Sequence, residues 1–183
     1  MTAHLRFKDV TLRRGGRLLF EGLGLELGPG EGLQVEGPNG SGKSSLIRLA
    51  AGLLRAERGT VERADAALAD EHLALDRELP LRRALAFWAG SIGPAMDALG
   101  LAHLADVPVR LLSSGQAKRA TLVRVAASAA PLWLLDEPLN GLDSDGADRL
   151  GGLIAQHRAA GGAVVAASHQ PLHGEWRRLE LGR

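Results

Sequence analysis

The run Gly37-Pro38-Asn39-Gly40-Ser41-Gly42-Lys43-Ser44 constrains this chain more than any other stretch. It has the form G-x-x-x-x-G-K-S, a phosphate-cradling P-loop that works only between a strand and a helix. The glycines let the backbone wrap with its N–H groups turned inward, where bulkier side chains would block an approaching anion. Lys43 supplies a flexible point charge for the terminal phosphates, and Ser44 a hydroxyl for a Mg²⁺ ion. The helix predicted from Ser44-Ser45 to Ala51 presents its positive end to the same anion. Upstream, Leu33-Gln34-Val35-Glu36 alternates apolar and polar as a half-buried strand does, so strand, loop and helix follow in the required order.

A chain of 183 residues is expected to form one domain with room for a substantial core. A formal net charge of +1 gives no bulk attraction to nucleic acid or anionic lipid. With no cysteine, disulfides, Cys-ligated zinc and a thiol nucleophile are excluded. The stretch Met1-Thr2-Ala3-His4-Leu5-Arg6-Phe7-Lys8-Asp9 lacks the apolar centre of a signal peptide. No apolar run reaches the roughly 18 residues of a membrane-spanning helix. The chain is therefore expected to be made and kept in the cytoplasm, with any membrane role requiring a partner.

Residues 5–12 alternate like a strand, 13–17 make a turn, and 18–20 and 22–27 resume apolar and alternating patterns. Gly28-Pro29-Gly30-Glu31-Gly32 is a tight turn into the strand before the P-loop. Several strands ahead of the first helix predict an antiparallel sheet beside a parallel core. After that helix, Gly52 and Gly59 punctuate a return, residues 60–63 form a strand, and 64–75 are ambiguous. Pro80 opens a helix over 81–88, Gly93-Pro94 break it, and 95–99 make a short helix closed by Gly100. Residues 78–117 thus read as a small helical insertion between two α/β parts, 1–77 and 118–183. A helix over 116–128 leads to Leu132-Trp133-Leu134-Leu135, a continuous apolar run typical of a strand buried on both faces of a parallel sheet. Residues 143–160 are helical, Gly161-Gly162 stop them, and 163–167 form a second buried strand.

Asp136 closes the first buried strand and Glu137 follows it. In an open parallel sheet, ligands sit beyond the carboxyl ends of the strands. Asp136 is placed to hold the Mg²⁺, directly or through water, and Glu137 to polarise an attacking water. Two adjacent carboxylates after four apolar residues are costly without a cation to satisfy them; the alternative is a surface acidic turn.

Leu112-Ser113-Ser114-Gly115-Gln116, just ahead of the helix leading to this strand, resembles the signature of ABC-type ATPases. The order P-loop, signature, then Leu134-Leu135-Asp136-Glu137-Pro138 is that family's order. Gly141-Leu142-Asp143 resembles its D-loop, and His169 after Ser168 its switch histidine. The resemblance covers nearly the whole chain and implies an α/β fold of the P-loop NTPase (RecA-like) type. That fold has a mixed-sheet core, an N-terminal antiparallel β part and a small α-helical subdomain carrying the signature, within one nucleotide-binding domain over 1–183. It implies ATP and Mg²⁺ as ligands, ATP hydrolysis, and a homodimer whose nucleotide lies between one P-loop and the partner's signature. There Ser114 and Gly115, flanked by Ser113 and Gln116, would meet the γ-phosphate across the interface, and His169 would contact it within the chain. Two positions depart from the family. Where it carries a Gln contacting Mg²⁺ and the membrane partner, His72 either takes that role or is a solvated histidine. Where it carries an aromatic that stacks on adenine, Arg14 either stacks by its planar guanidinium or is a charged turn residue.

Within the family, Leu33 to Gly40 followed by Lys43-Ser44-Ser45-Leu46, then Glu78-Leu79 and Phe87-Trp88, resembles the ATP-binding subunits of cytochrome c maturation (haem exporter) complexes. So do residues 106–113 and 130–138, and the run from Gly161 to Leu172. The chain is similar to them throughout but shortened around residues 64–78. The resemblance implies a peripheral subunit on the cytoplasmic face of the bacterial inner membrane, paired with integral membrane permease subunits and freeing a haem-loaded chaperone. The helical insertion with Arg82, Arg83 and Trp88 is either a docking region for such a partner or an ordinary packed helix with a solvated basic face. Three other readings are an ATPase subunit for a different cargo, a soluble ABC ATPase acting on nucleic acid or ribosomes, and a degenerate, non-hydrolysing scaffold, against which the intact Lys43, Asp136, Glu137 and His169 argue. The chain has neither the second cassette nor the long coiled-coil insertion usual in the soluble kind, and no nucleic-acid partner is expected.

Overall fold

Leu5 and Phe7 open the strand β1 (Leu5–Arg14) in alternation, which breaks at a register shift after Phe7, beyond which Val10, Thr11 and Leu12 are all buried. A turn at Gly15-Gly16 returns the chain as β2 (Arg17–Leu27), one strand where the sequence suggests two segments. The computed structural model describes residues 3–88 and 90–182. Met1, Thr2, Ala89 and Arg183 lie outside the described residues, among them the first two of the amino-terminal stretch read above and one of the helical insertion.

The next elements are β3 (Gly32–Glu36), α1 (Lys43–Ala50), β4 (Arg58–Arg63), β5 (Ala66–Ala69), α2 (Leu81–Ala86) and α3 (Gly93–Ala98). Two short 3₁₀ turns, Ala102–Leu104 and Val109–Leu111, precede α4 (Ser114–Ala126), β6 (Leu132–Asp136), α5 (Ser144–Ala159), β7 (Ala163–Ala167) and β8 (Arg177–Glu180). The antiparallel strands form their own sheet in the order β2-β1-β4, and the core sheet of order β5-β6-β7-β3-β8 is parallel throughout. The antiparallel part and the parallel core expected from the sequence are both present, as two sheets.

Three local expectations change, and one strand forms where the sequence predicts none. Gly59 lies inside β4 rather than before it. The ambiguous stretch contains β5, which has no β-branched residue and is set by pairing with β6, from Ala66 opposite Leu132 to Ala69 opposite Leu135. Gly93-Pro94 open α3 rather than merely ending α2, because a proline in the first helical turn gives up an N–H that has no partner there anyway. The largely polar tail adds β8 at the outer edge beside β3, where charged side chains keep an exposed edge from further pairing.

Side chains of β6 and β7 alternate between two cores. Leu132, Leu134, Ala163, Val165 and Ala167 join β1, β2 and α1 on one face. Trp133, Leu135, Val164 and Ala166 join α2, α3, α4 and α5 on the other. With both faces covered, all strand carboxyl ends point to one rim, and the P-loop, Asp70, Asp136-Glu137 and Ser168-His169 follow β3, β5, β6 and β7 there.

Candidate nucleotide-binding and hydrolysis site

The P-loop closes on backbone geometry that only glycine tolerates. Gly37 has φ 142, and a Cβ there would collide with the carbonyl of Leu181 and approach Ser41 Oγ to 2.8 Å. Gly42, with φ 109, is the N-cap of α1 and offers no side-chain cap, and the first turn carries no acidic residue. The leading N–H groups of α1 thus lack a side-chain acceptor, which is the condition for an anion seat. Lys43 Nζ spans the loop, donating to the carbonyls of Gly37 (2.7 Å) and Pro38 (3.3 Å). A groove of roughly 510 Å³ opens over the loop and includes Arg14, Leu19, Asn39, Gly40 and Lys43 to Ser45 in its lining, with Glu137 at one end. Arg14 Nη1 lies 3.5 Å from Ser45 Oγ, which keeps its planar guanidinium against this groove.

The acidic pair sits at the loop's mouth. Ser44 Oγ donates to Asp136 Oδ1 at 3.0 Å. Asp136 is only 8 % exposed. Burial, reinforced by the neighbouring Glu137 carboxylate, pushes its carboxyl above the ordinary range, against the Ser44 hydrogen bond and the more distant Arg48 and Lys118. A buried carboxylate short of positive charge and touching a hydroxyl fits a small divalent cation completed by phosphate oxygens and water. Among the described residues, no group of three or more His, Asp or Glu forms a self-contained metal site, so such an ion depends on the bound phosphates.

Glu137 has φ 45, rare for a side chain other than glycine. Its N–H donates to Ala167 O at 2.8 Å, and its carboxylate lies 2.9 Å from His169 Nδ1. A carboxylate oriented by a histidine beside a phosphate-binding loop can take a proton from water.

A second cleft of roughly 460 Å³ adjoins the pair and includes Ser44, Asp70, Ser114, Lys118, Asp136 and Asn140 in its lining. Ser113 and Gln116 are occupied in a reciprocal cap at the start of α4: Gln116 N donates to Ser113 Oγ, and Ser113 N to Gln116 Oε1. Ser114 is left exposed, and Gly115 runs close to Gly141, whose carbonyl an added Cβ would approach to 2.9 Å. Asp143 caps α5 by accepting from Gly146 N at 2.8 Å. His72 is largely exposed and pairs with Asp70, with Nδ1 3.1 Å from Oδ2; Asp70 and Glu71, rather than His72, line the cleft.

The rim therefore gathers Lys43, Ser44, Asp136, Glu137 and His169, while the signature stands along the adjoining cleft. Sequence reasoning passed over Asp70 and Lys118. Lys118 Nζ donates to Asp136 O at 3.3 Å, and burial lowers its affinity for a proton against the pull of Asp136, Asp70 and Glu137. Its spacing was the available signal, since Ser114, Lys118 and Thr121 fall at i, i+4 and i+7 on the face of α4 that lines the cleft.

A P-loop on a parallel sheet, a carboxylate pair at the neighbouring strand end and a capped signature helix define an ATP-binding cassette. The ABC transporter family model matches residues 20–140. The cytochrome c biogenesis ATP-binding export protein CcmA of Sphingopyxis alaskensis is 57% identical over 177 residues, covering 92% of this chain and 91% of its own length. The protein of that name from Novosphingobium aromaticivorans is 59% identical over 167 residues, with 90% and 87% covered. A solved ATP-binding subunit of an ABC transporter superposes with a TM-score of 0.81 at 23% identity, over 92% of this chain and 80% of that one, which bears on the fold. The chain belongs to the ABC transporter family, in the branch of the cytochrome c biogenesis ATP-binding export proteins. It is a nucleotide-binding ATPase of ABC type, and none of its described helices is long and apolar enough to cross a membrane.

Proposed function

We propose that this chain is the ATP-hydrolysing subunit of a cytochrome c maturation complex. It closes as a homodimer around two ATP molecules and drives integral membrane permease subunits at the cytoplasmic face of the bacterial inner membrane. The export-protein names of its relatives support the process, and the rim geometry supports the chemistry. The groove over the P-loop takes the triphosphate, with Arg14 beside the base and Lys43 released from the Gly37 carbonyl onto the terminal phosphates. Ser44 and Asp136, in contact at 3.0 Å, would hold a Mg²⁺ ion, which when bound would supply positive charge to the phosphate oxygens. Glu137 accepts the proton of the attacking water while His169 fixes its carboxylate. His72, paired with Asp70 just after β5, is the candidate for the position that the family fills with a Mg²⁺-contacting Gln, the alternative being a solvated histidine. Ser114 and Gly115 meet the partner subunit's γ-phosphate from the start of α4, another helix N-terminus. Residues 1–77 and 118–183 make the ATPase core and 78–117 the helical subdomain, with α4 running through the junction. The permease docks at the groove of Phe87 and Trp88, whose rings meet edge to face at 5.4 Å.

The observation that carries the hydrolytic reading is the 2.9 Å pairing of Glu137 and His169 beside the Ser44–Asp136 contact. Glu137→Gln keeps the shape and loses the base. ATP binding should persist while hydrolysis slows by roughly 10²–10⁴-fold, with ATP-dependent dimers accumulating on size-exclusion chromatography. Near-normal turnover would remove Glu137 from the role of base. Recovery of cytochrome c maturation permeases with the tagged variant from native membranes supports the process; an unrelated permease would redirect the cargo and leave the chemistry intact.

A further inference from the structure

The apolar groove and the acidic cleft are separate cavities that share a wall. Leu73 lines both. The groove, roughly 410 Å³, continues along Ala74, Leu75 and Leu79 to Phe87 and Trp88. The cleft holds Asp70, Glu71 and Asp136. One side chain links a residue of the groove to the strand that leads into the cleft. Arg124, from the last turn of α4, places its guanidinium carbon 4.8 Å from the Trp88 ring centroid on the groove side. Its Nη2 donates to the carbonyl of Leu68, two residues before Asp70 on the edge strand β5. Arg124 Nε is buried and has no hydrogen-bond partner among the described residues. A guanidinium held by one carbonyl and one ring face, with a donor left over, is poised between its two attachments rather than locked into one.

The segment it grips leads into the chemistry. Leu68 pairs with Leu134, two residues before Asp136. Glu71 meets Arg48 Nη2 of the P-loop helix at 3.3 Å. A shift of Trp88 therefore has a short physical path, through Arg124, to the Asp70–Glu71 wall of the Mg²⁺ cleft.

We propose that Arg124 is a positioning residue that couples the Phe87–Trp88 groove to the Asp70–Glu71 wall of the nucleotide cleft, so that occupancy of either cavity is felt in the other. The inference rests on the ATP-binding reading above and adds the residue that carries the signal. Coupling of this kind is reciprocal, so it is measurable from the nucleotide side alone.

The test is hydrogen–deuterium exchange of the full-length chain carrying Glu137→Gln, with and without Mg-ATP. Mg-ATP should slow exchange in residues 37–44, in 68–72 and, by about fivefold, in 81–88. Adding Arg124→Gln should preserve protection of 37–44 and abolish it at 81–88, with Arg124→Lys restoring part of it through the retained charge over Trp88. If Arg124→Gln does not fold, Trp88→Leu cuts the same link from the other end and should uncouple 81–88 while leaving 37–44 protected. Unchanged protection at 81–88 in a folded Arg124→Gln or Trp88→Leu variant overturns the proposal, as does its absence in the parent when 37–44 is protected. Absence of protection at 37–44 would instead overturn the nucleotide site itself.

Discussion

Glu137 occupies a backbone state that side chains avoid. With φ 45 it lies in the left-handed region, which costs an L-residue about 1–2 kcal/mol relative to the right-handed one. Its own N–H on Ala167 O, the Asn140 N–H on its carbonyl at 3.2 Å and its carboxylate at His169 hold it there. Strain survives only where surrounding contacts over-determine it, and it gathers at sites of function. Here it aims a carboxylate at the rim instead of letting it follow the strand. Comparing Glu137→Gly with Glu137→Ala isolates the backbone contribution, because both lose the carboxylate and its histidine contact. The glycine variant should be more stable by about 1 kcal/mol in urea unfolding of the nucleotide-free chain, and both should be inactive. Equal stabilities would mean the backbone is unstrained at this residue.

At the scale of elements, α4 divides one motif between structure and function. The side chains of Ser113 and Gln116 cap the helix, whereas Ser114 is exposed and Gly115 is half-buried close to Gly141. Ser113→Ala should lower stability by about 1 kcal/mol, read as a fall in Tm, even without nucleotide. Gly115→Ala should instead act on ATP-driven dimerisation, since its Cβ would press on Gly141 O and displace the signature from the D-loop; ultracentrifugation with ATP in the Glu137→Gln background measures it. An unaltered Tm in Ser113→Ala would deny the capping role. The P-loop, β6 and β7 were legible because each rests on a local signal: fixed glycine spacing, or an unbroken apolar run. β5 and β8 were not, because Ala66 to Ala69 and the charged Arg177 to Glu180 become strands only through neighbours far along the chain. The same holds within the site. Lys43, Ser44, Asp136 and His169 stand in motifs, whereas Asp70 joins them only because β5 pairs with β6.

At the scale of the whole molecule, the parallel sheet gives the chain two unlike ends. The carboxyl ends of the strands gather the P-loop, Asp136, Glu137 and His169, and the opposite end holds packed side chains. There Trp133 stacks on His157 of α5, with ring centroids 3.9 Å apart and planes 10° from parallel. Burial pushes the His157 imidazole below its usual 6.5, a shift that the backbone at Pro131 and Ala163 only partly opposes. Its Nε2 is buried with no hydrogen-bond partner among the described residues, and protonation would place a charge in this poorly solvated position. A base whose folded value is depressed binds fewer protons folded than unfolded. The contribution of His157 to stability is therefore fully present above 6.5 and is lost as pH falls through 6.5 towards the depressed value. His157→Phe retains a ring for Trp133 and removes the titration. Its Tm should fall less than the parent's between about pH 7 and pH 5, with nucleotide affinity at neutral pH matching the parent because the site lies at the other end of the strands. Parallel Tm–pH curves for the two proteins would place the acid sensitivity elsewhere, and a loss of nucleotide affinity in His157→Phe would mean that the two ends of the sheet are not mechanically independent.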